Sequence, residues 1–216
     1  RISYYSRFET RKQEFEMNRI ITLIMIGSII MNSCGKQLDV AVISTKYGDI
    51  VLEFYPKGAE KHVDSFITHA KNGYFDGTTF HRVLPGFVIQ GGDPNSKDDD
   101  RSNDGMGGYA AKFYGEGEEE NPETWTLPAE FNDRIHIAGT LSMARSQAPN
   151  SAGSQFFICA GPTPQLDNKY TAFGQVIEGL NIIQEIVNTP RDRRDNPKEK
   201  VEMTMKITPR SETLDN

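Results

Sequence analysis

Cysteine is scarce in this chain: its 216 residues include two, Cys34 and Cys159. One follows an apolar run near the N-terminus and the other lies inside residues 155–160, so no disulfide framework is expected, and no CxxC offers a metal or redox site. Cys159 reads as a small buried hydrophobe. Basic charge is short as well. With 24 Lys and Arg against 30 Asp and Glu, the formal net charge of -6 leaves no surplus cations to neutralise phosphates, which argues against nonspecific nucleic-acid binding. The four histidines, His62, His69, His81 and His136, have no HExxH or other ligand spacing, so no metal or other cofactor is expected. A GxSxG elbow is missing too, which weakens a hydrolase built on His81 with Ser142 or Ser154. No apolar run reaches the length of a comfortable bilayer span, and no internal repeat is found.

What is present is a chain long enough for one ordinary domain plus a leader, with 37% hydrophobic and 25% charged residues, as in a soluble globular protein. Residues 20–31 form a mostly apolar run preceded by Arg19, with the length of a secretory h-region. This makes Met17 the expected start, residues 1–16 an extended segment, and residues 17–33 a signal peptide. Residues 31–36 (MNSCGK) resemble a relaxed bacterial lipobox, which implies cleavage before Cys34 and a lipid on that residue. Residues 34–39 then form a tether, and the expected location is the bacterial cell envelope as a periplasm-facing or surface lipoprotein.

Residues 40–44 and 50–54 read as strands around a turn at 46–49, opening the domain with a hairpin. Val63, Phe66, Ile67 and Ala70 recur at helical spacing and predict a helix over about 59–72, with Gly73 to end it. Two strands joined at Pro85-Gly86 follow. Residues 94–128 are rich in Gly, Asp and Glu and read as a long surface excursion that buries little. Within it Asp100, Ser102, Asp104 and Gly105 match half of a calcium-loop pattern, but the twelfth position is Ala111 and the bidentate acid is missing. Strands are predicted at 139–143, 155–160, 170–177 and 201–207, and a second helix at 179–187 before Pro190. Many short strands with regular turns suggest a closed barrel or a sandwich.

The segment FHRVLPGFVIQGGD (80–93) sets one cation, Arg82, among large apolar side chains. Together with KHVDSF (61–66), GYFDGTTFHR (73–82), LSMAR (141–145), GSQFFI (153–158) and LDNKYTAFGQV (166–176), it resembles the cyclophilin-type peptidyl-prolyl cis-trans isomerases over residues 40–208. The resemblance implies a mainly β fold, a closed eight-stranded antiparallel barrel capped by two α-helices, followed by a tail at 209–216. It implies that Arg82 is catalytic with Gln90 beside it. Phe87, Val88, Met143, Phe157 and Leu166 then wall a proline pocket, and Ala144, Arg145 and Gln155 line the strip along which a substrate backbone lies. Val88 stands where a methionine is usual, Tyr170 where many members have histidine, and Gln165 where some have tryptophan. Gly105, Gly107 and Gly108 fit the family's glycine-rich turn. The implied activity is rotation about X-Pro bonds in proline-containing polypeptides, assisting protein folding, by a monomer. A chaperone-like or proline-peptide binding module of the same fold is the alternative.

Overall fold

The structure is a computed structural model and describes residues 39–210. The expected extended segment, signal peptide, acylation site Cys34, most of the tether and most of the tail lie outside the described residues. Eight strands run β1 (Val40–Thr45), β2 (Gly48–Phe54), β3 (Arg82–Leu84), β4 (Val88–Gly91), β5 (Thr140–Met143), β6 (Phe156–Cys159), β7 (Ala172–Glu178) and β8 (Thr204–Thr208), with helices α1 (Glu60–Lys71) and α2 (Leu180–Val187). They form one curled antiparallel sheet in the order β3-β4-β6-β5-β7-β2-β1-β8. Among the described residues no helix is long and apolar enough to cross a membrane.

The sheet is an open half-barrel, which corrects the expected closed barrel. Its end strands β3 and β8 share no ladder. The chain ahead of each meets instead through one bridge, Thr79 to Glu202, and through backbone bonds such as Phe80 N–H to Val201 O at 2.9 Å. The reason is that Val201 and Met203, expected as the start of the closing strand, bury their side chains beside the segment before β3. Only Thr204–Thr208 continue as a ladder on β1. β3 itself is three residues long, and its Val83 N–H already donates to Asp195 O.

Phe66 of α1 organises the core. Its ring lies 5.1–5.7 Å from those of Phe54, Phe75, Phe156 and Phe173, distances at which tilted and edge-on aromatic pairs are favourable. The predicted apolar stripe of α1 faces the sheet, yet His62, Ser65 and His69 are buried too. Each is satisfied from far along the chain: His62 Nδ1 by Glu130 at 2.6 Å, His69 Nε2 by Tyr109 O at 2.9 Å, and Ser65 Oγ by the Ala111 N–H at 3.0 Å. Glu130 also accepts from the backbone of Lys61 and His62, placing a carboxylate on the unpaired N–H groups of the first helical turn.

Residues 94–128 therefore do more than was expected of them. Ala110 and Leu127 are fully buried, and the Leu127 N–H donates to Ala152 O at 2.8 Å. A polar stretch can wrap a domain when a few small or apolar side chains and backbone bonds anchor it. The remainder, including the acidic residues 116–120, stays largely at the surface.

Candidate active site

Period-two alternation divides β4 and β6 between two faces. Ile89, Phe156 and Ile158 point into the main core, whereas Val88, Phe157 and Cys159 join Leu166 in a second apolar cluster outside it. Leu84, Phe87, Ala144 and Tyr170 flank that cluster and stay partly exposed. Register sets the polar groups beside it. Arg82 is paired with Gln90, Gln90 with Phe157, and Phe157 with Ser142, so one row crosses β3, β4, β6 and β5 on the outer face. The tight β3–β4 connection keeps this row aligned: Phe87 N–H donates to Leu84 O at 3.0 Å across Pro85 and Gly86, whose φ of 73° suits glycine.

A groove of about 110 Å³ results, lined by Arg82, Phe87, Val88, Gln90, Ala144, Arg145, Phe157, Leu166 and Tyr170. Nine of the expected site residues thus come together. Gln155 lies one step away, joined through its side chain. Arg82 Nη1 donates to Gln90 Oε1 at 3.1 Å, Gln90 Nε2 to Gln155 Oε1 at 3.0 Å, and Gln155 Nε2 to Gly107 O at 2.8 Å. Each amide donates in one direction, so the chain fixes both glutamine side chains and one edge of the guanidinium. Met143 is the residue that does not arrive. It pairs with the inward Phe156 and packs in the main core, because β5 alternates and Ser142 takes the outer position. An adjoining cavity of about 250 Å³, where exposed Met106 meets Gly107, Gly108 and Gln155, was not anticipated.

Arg145 is held firmly. Its guanidinium donates to Lys169 O, Ser146 O and Gln147 O at 2.8–3.1 Å and lies 4.6 Å from the Tyr170 ring centroid. Tyr170 in turn meets Phe157 edge-on at 5.7 Å. An aromatic wall is therefore kept where a histidine is common, and a cation is stacked behind it. Arg82 has no carboxylate within ion-pairing distance among the described residues, and its charge is left to face the groove.

The rival sites do not assemble. His81 is buried beside Arg82, but its ring nitrogens make no well-formed hydrogen bond, and burial lowers its pKa. Neither serine reaches it. Ser154 Oγ donates to Gly92 O, and Ser142 is fully buried under Phe157. The half-matched calcium pattern is folded into turns: Asp100 accepts from the Ser102 N–H, and Asp104 from Asn196 Nδ2. Among the described residues no group of three or more His, Cys, Asp or Glu could hold a metal ion. Burial pushes the Cys159 thiol up to about 11, which leaves it an inert apolar filler under the groove.

A family model described as cyclophilin type peptidyl-prolyl cis-trans isomerase/CLD matches residues 40–207. Peptidyl-prolyl cis-trans isomerase-like 1 of Neurospora crassa is 39% identical over 183 residues, covering 82% of this chain and 98% of that protein. Peptidyl-prolyl cis-trans isomerase CYP71 of Arabidopsis thaliana is 38% identical over 195 residues, 87% of this chain but 27% of its own length, so this chain spans about a quarter of that relative. A crystal structure of a Cryptosporidium parvum cyclophilin-type isomerase, determined in the presence of the dipeptide Ala-Pro, superposes with a TM-score of 0.67 at 31% identity, covering 78% of this chain and 98% of that one.

Proposed function

This chain belongs to the cyclophilin-type peptidyl-prolyl cis-trans isomerases, and we propose that it accelerates rotation about X-Pro bonds with Arg82 as its catalytic cation. The uncatalysed barrier of ~18 to 20 kcal/mol comes from amide resonance, while the two X-Pro isomers differ by only ~0.5 to 1 kcal/mol. A catalyst must therefore favour the twisted amide over both planar forms. As the amide twists, its nitrogen lone pair leaves conjugation and becomes an acceptor. A guanidinium aimed at that nitrogen stabilises the twisted form selectively, and Arg82 is charged at every relevant pH.

The observation that carries this reading is Arg82, held by Gln90, at the edge of an apolar groove with no carboxylate to neutralise it. A charge-assisted hydrogen bond of about 1.5 to 3 kcal/mol corresponds to roughly one to two decades of rate. The rest comes from Phe87, Val88, Phe157 and Leu166 gripping the pyrrolidine ring while the preceding carbonyl swings, with water kept from the guanidinium. No bond is broken, so no nucleophile is needed. Exchange NMR on an Ala-Pro peptide tests the activity: rotation faster than in buffer supports it, and a rate equal to that in buffer leaves a proline-peptide binding module.

In this reading the enzyme works as a monomer on unfolded or partly folded proline-containing polypeptides in the bacterial cell envelope, anchored through a lipid on Cys34. The apolar run at 20–31 followed by Ser33-Cys34-Gly35 supports this placement. Intact-mass analysis of the mature protein is the check. A diacylated or triacylated Cys34 at the N-terminus is expected, and any other first residue removes the anchor.

A further inference from the structure

Behind Phe157 runs a row of polar groups that the isomerase mechanism leaves unused. His136 is 1% exposed; its Nδ1 lies 2.9 Å from Asp167 Oδ1 and its Nε2 3.0 Å from Ser142 Oγ. The His136 backbone N–H donates to the same carboxylate oxygen at 2.7 Å. Ser142 Oγ is also 3.0 Å from Thr171 O. The imidazole stacks against Phe157 with centroids 6.1 Å apart and planes 23° from parallel. Ser142 is the register neighbour of Phe157, and it sits where the β5–β7 ladder shifts by a residue, between Leu141 and Ser142. The row therefore meets the groove floor and an irregularity of the sheet at one point.

Two proton arrangements satisfy these distances. A carboxylate only accepts, so Nδ1 carries a proton in both. When the ring is neutral, Nε2 accepts and Ser142 must donate to it, leaving Thr171 O to the Met143 N–H at 3.1 Å. When the ring is protonated, Nε2 donates to Ser142, whose own proton turns to Thr171 O. A single proton thus decides whether the Ser142 hydroxyl bonds toward the wall behind Phe157 or toward the chain entering β7. The titratable groups around the ring are Asp167, which hydrogen bonds from the His136 backbone and ring hold below the usual carboxylate range, and Cys159 on β6, a neutral thiol near enough to feel the Asp167 charge. Tyr170 lies beyond Phe157.

We propose that His136 is a positioning residue for isomerisation: anchored by Asp167, it supports Phe157 against the substrate proline, and its protonation resets that support by turning the Ser142 hydroxyl. The proposal rests on the isomerase reading above. It is tested on the full chain by two measurements across the pH interval over which the chain stays folded. Long-range proton–nitrogen NMR follows the His136 ring, and exchange NMR follows turnover of an Ala-Pro peptide. The turnover rate is expected to inflect at the pH where His136 titrates, with KM little changed. Ser142→Ala, which keeps both rings, is expected to abolish the inflection. His136→Gln, which loses a stacked contact, is expected to lower kcat about fivefold. A flat rate while His136 titrates, an inflection that survives Ser142→Ala, or a ring that never changes charge over this interval overturns the proposal. A wild type with no isomerase activity defeats the isomerase reading instead. In that event the Phe157 ring signals still decide the inference: a shift in step with His136 upholds its support of the groove, and no shift refutes it.

Discussion

On the inner face of β4 and β6, Ile89, Phe156 and Ile158 are fully enclosed, and Phe156 meets the rings of Phe66, Phe75 and Phe80. On the outer face of the same two strands, Val88, Phe157 and Cys159 meet Leu166, but the cover stops at half-exposed Phe87, Tyr170 and Arg82. The residue types are nearly the same and the destinations differ. Inside, each apolar side chain completes another's burial. Outside, a small core is left one ring short, and a cation stands at the gap. That is the arrangement a proline ring can complete, which is why the outer cluster reads as a site and the inner one as stability.

Substitutions that treat adjacent residues differently sharpen this contrast. Phe156→Ala opens the main core and is expected to cost about 3 to 5 kcal/mol of stability, read as a lower urea midpoint. Phe157→Ala is expected to cost less stability and most of the activity; equal stability losses for the two would erase the distinction between faces. Next in size is the anchor of α1. Burial disfavours the Glu130 charge, but hydrogen bonds from the His62 ring and from the backbone of Lys61 and His62 outweigh it and lower the pKa. A carboxyl whose folded pKa is depressed contributes stability above its unfolded pKa, and that contribution is lost as pH falls through the folded value. The wild-type urea midpoint is therefore expected to fall more steeply than that of Glu130→Gln as the solution is acidified below roughly pH 4.3. Parallel curves would remove this role. A smaller effect is expected at Gln90. Gln90→Leu frees the Arg82 guanidinium without removing it, and turnover is expected to fall a few-fold, about the worth of one hydrogen bond of 0.5 to 1.5 kcal/mol. The unfolding free energy read from urea should fall by no more than about 1.5 kcal/mol, the upper worth of one such hydrogen bond.

Much of this was legible in the chain because strand alternation and helical spacing are local signals. The hairpin at 40–54, both helices and the β3–β4 turn at Pro85-Gly86 fall where those signals put them. Parity was the weak point. A motif such as LSMAR shows that Ser142 and Met143 are near the site, but only register against β6 decides that Ser142 faces outward and Met143 inward. Closure failed for a related reason, since Val201, Met203, Met205 and Ile207 alternate smoothly although the chain leaves the ladder before Thr204. The polar partners of α1 were out of reach altogether: Glu130 lies 68 residues from His62 and Tyr109 40 residues from His69. Nothing local marks such pairs. The same holds for Asp167, His136 and Ser142, whose alignment exists only in the folded sheet.

In the proposed mechanism a fixed cation beside an apolar groove, Arg82, lowers the rotational barrier. Exchange NMR at saturating Ala-Pro peptide, run on wild type and on Arg82→Ala shown by its spectrum to be folded, tests it most directly. On-enzyme rotation in Arg82→Ala is expected to be slower by roughly ten- to a hundredfold, with peptide affinity little changed. An unchanged rate in Arg82→Ala would contradict this mechanism.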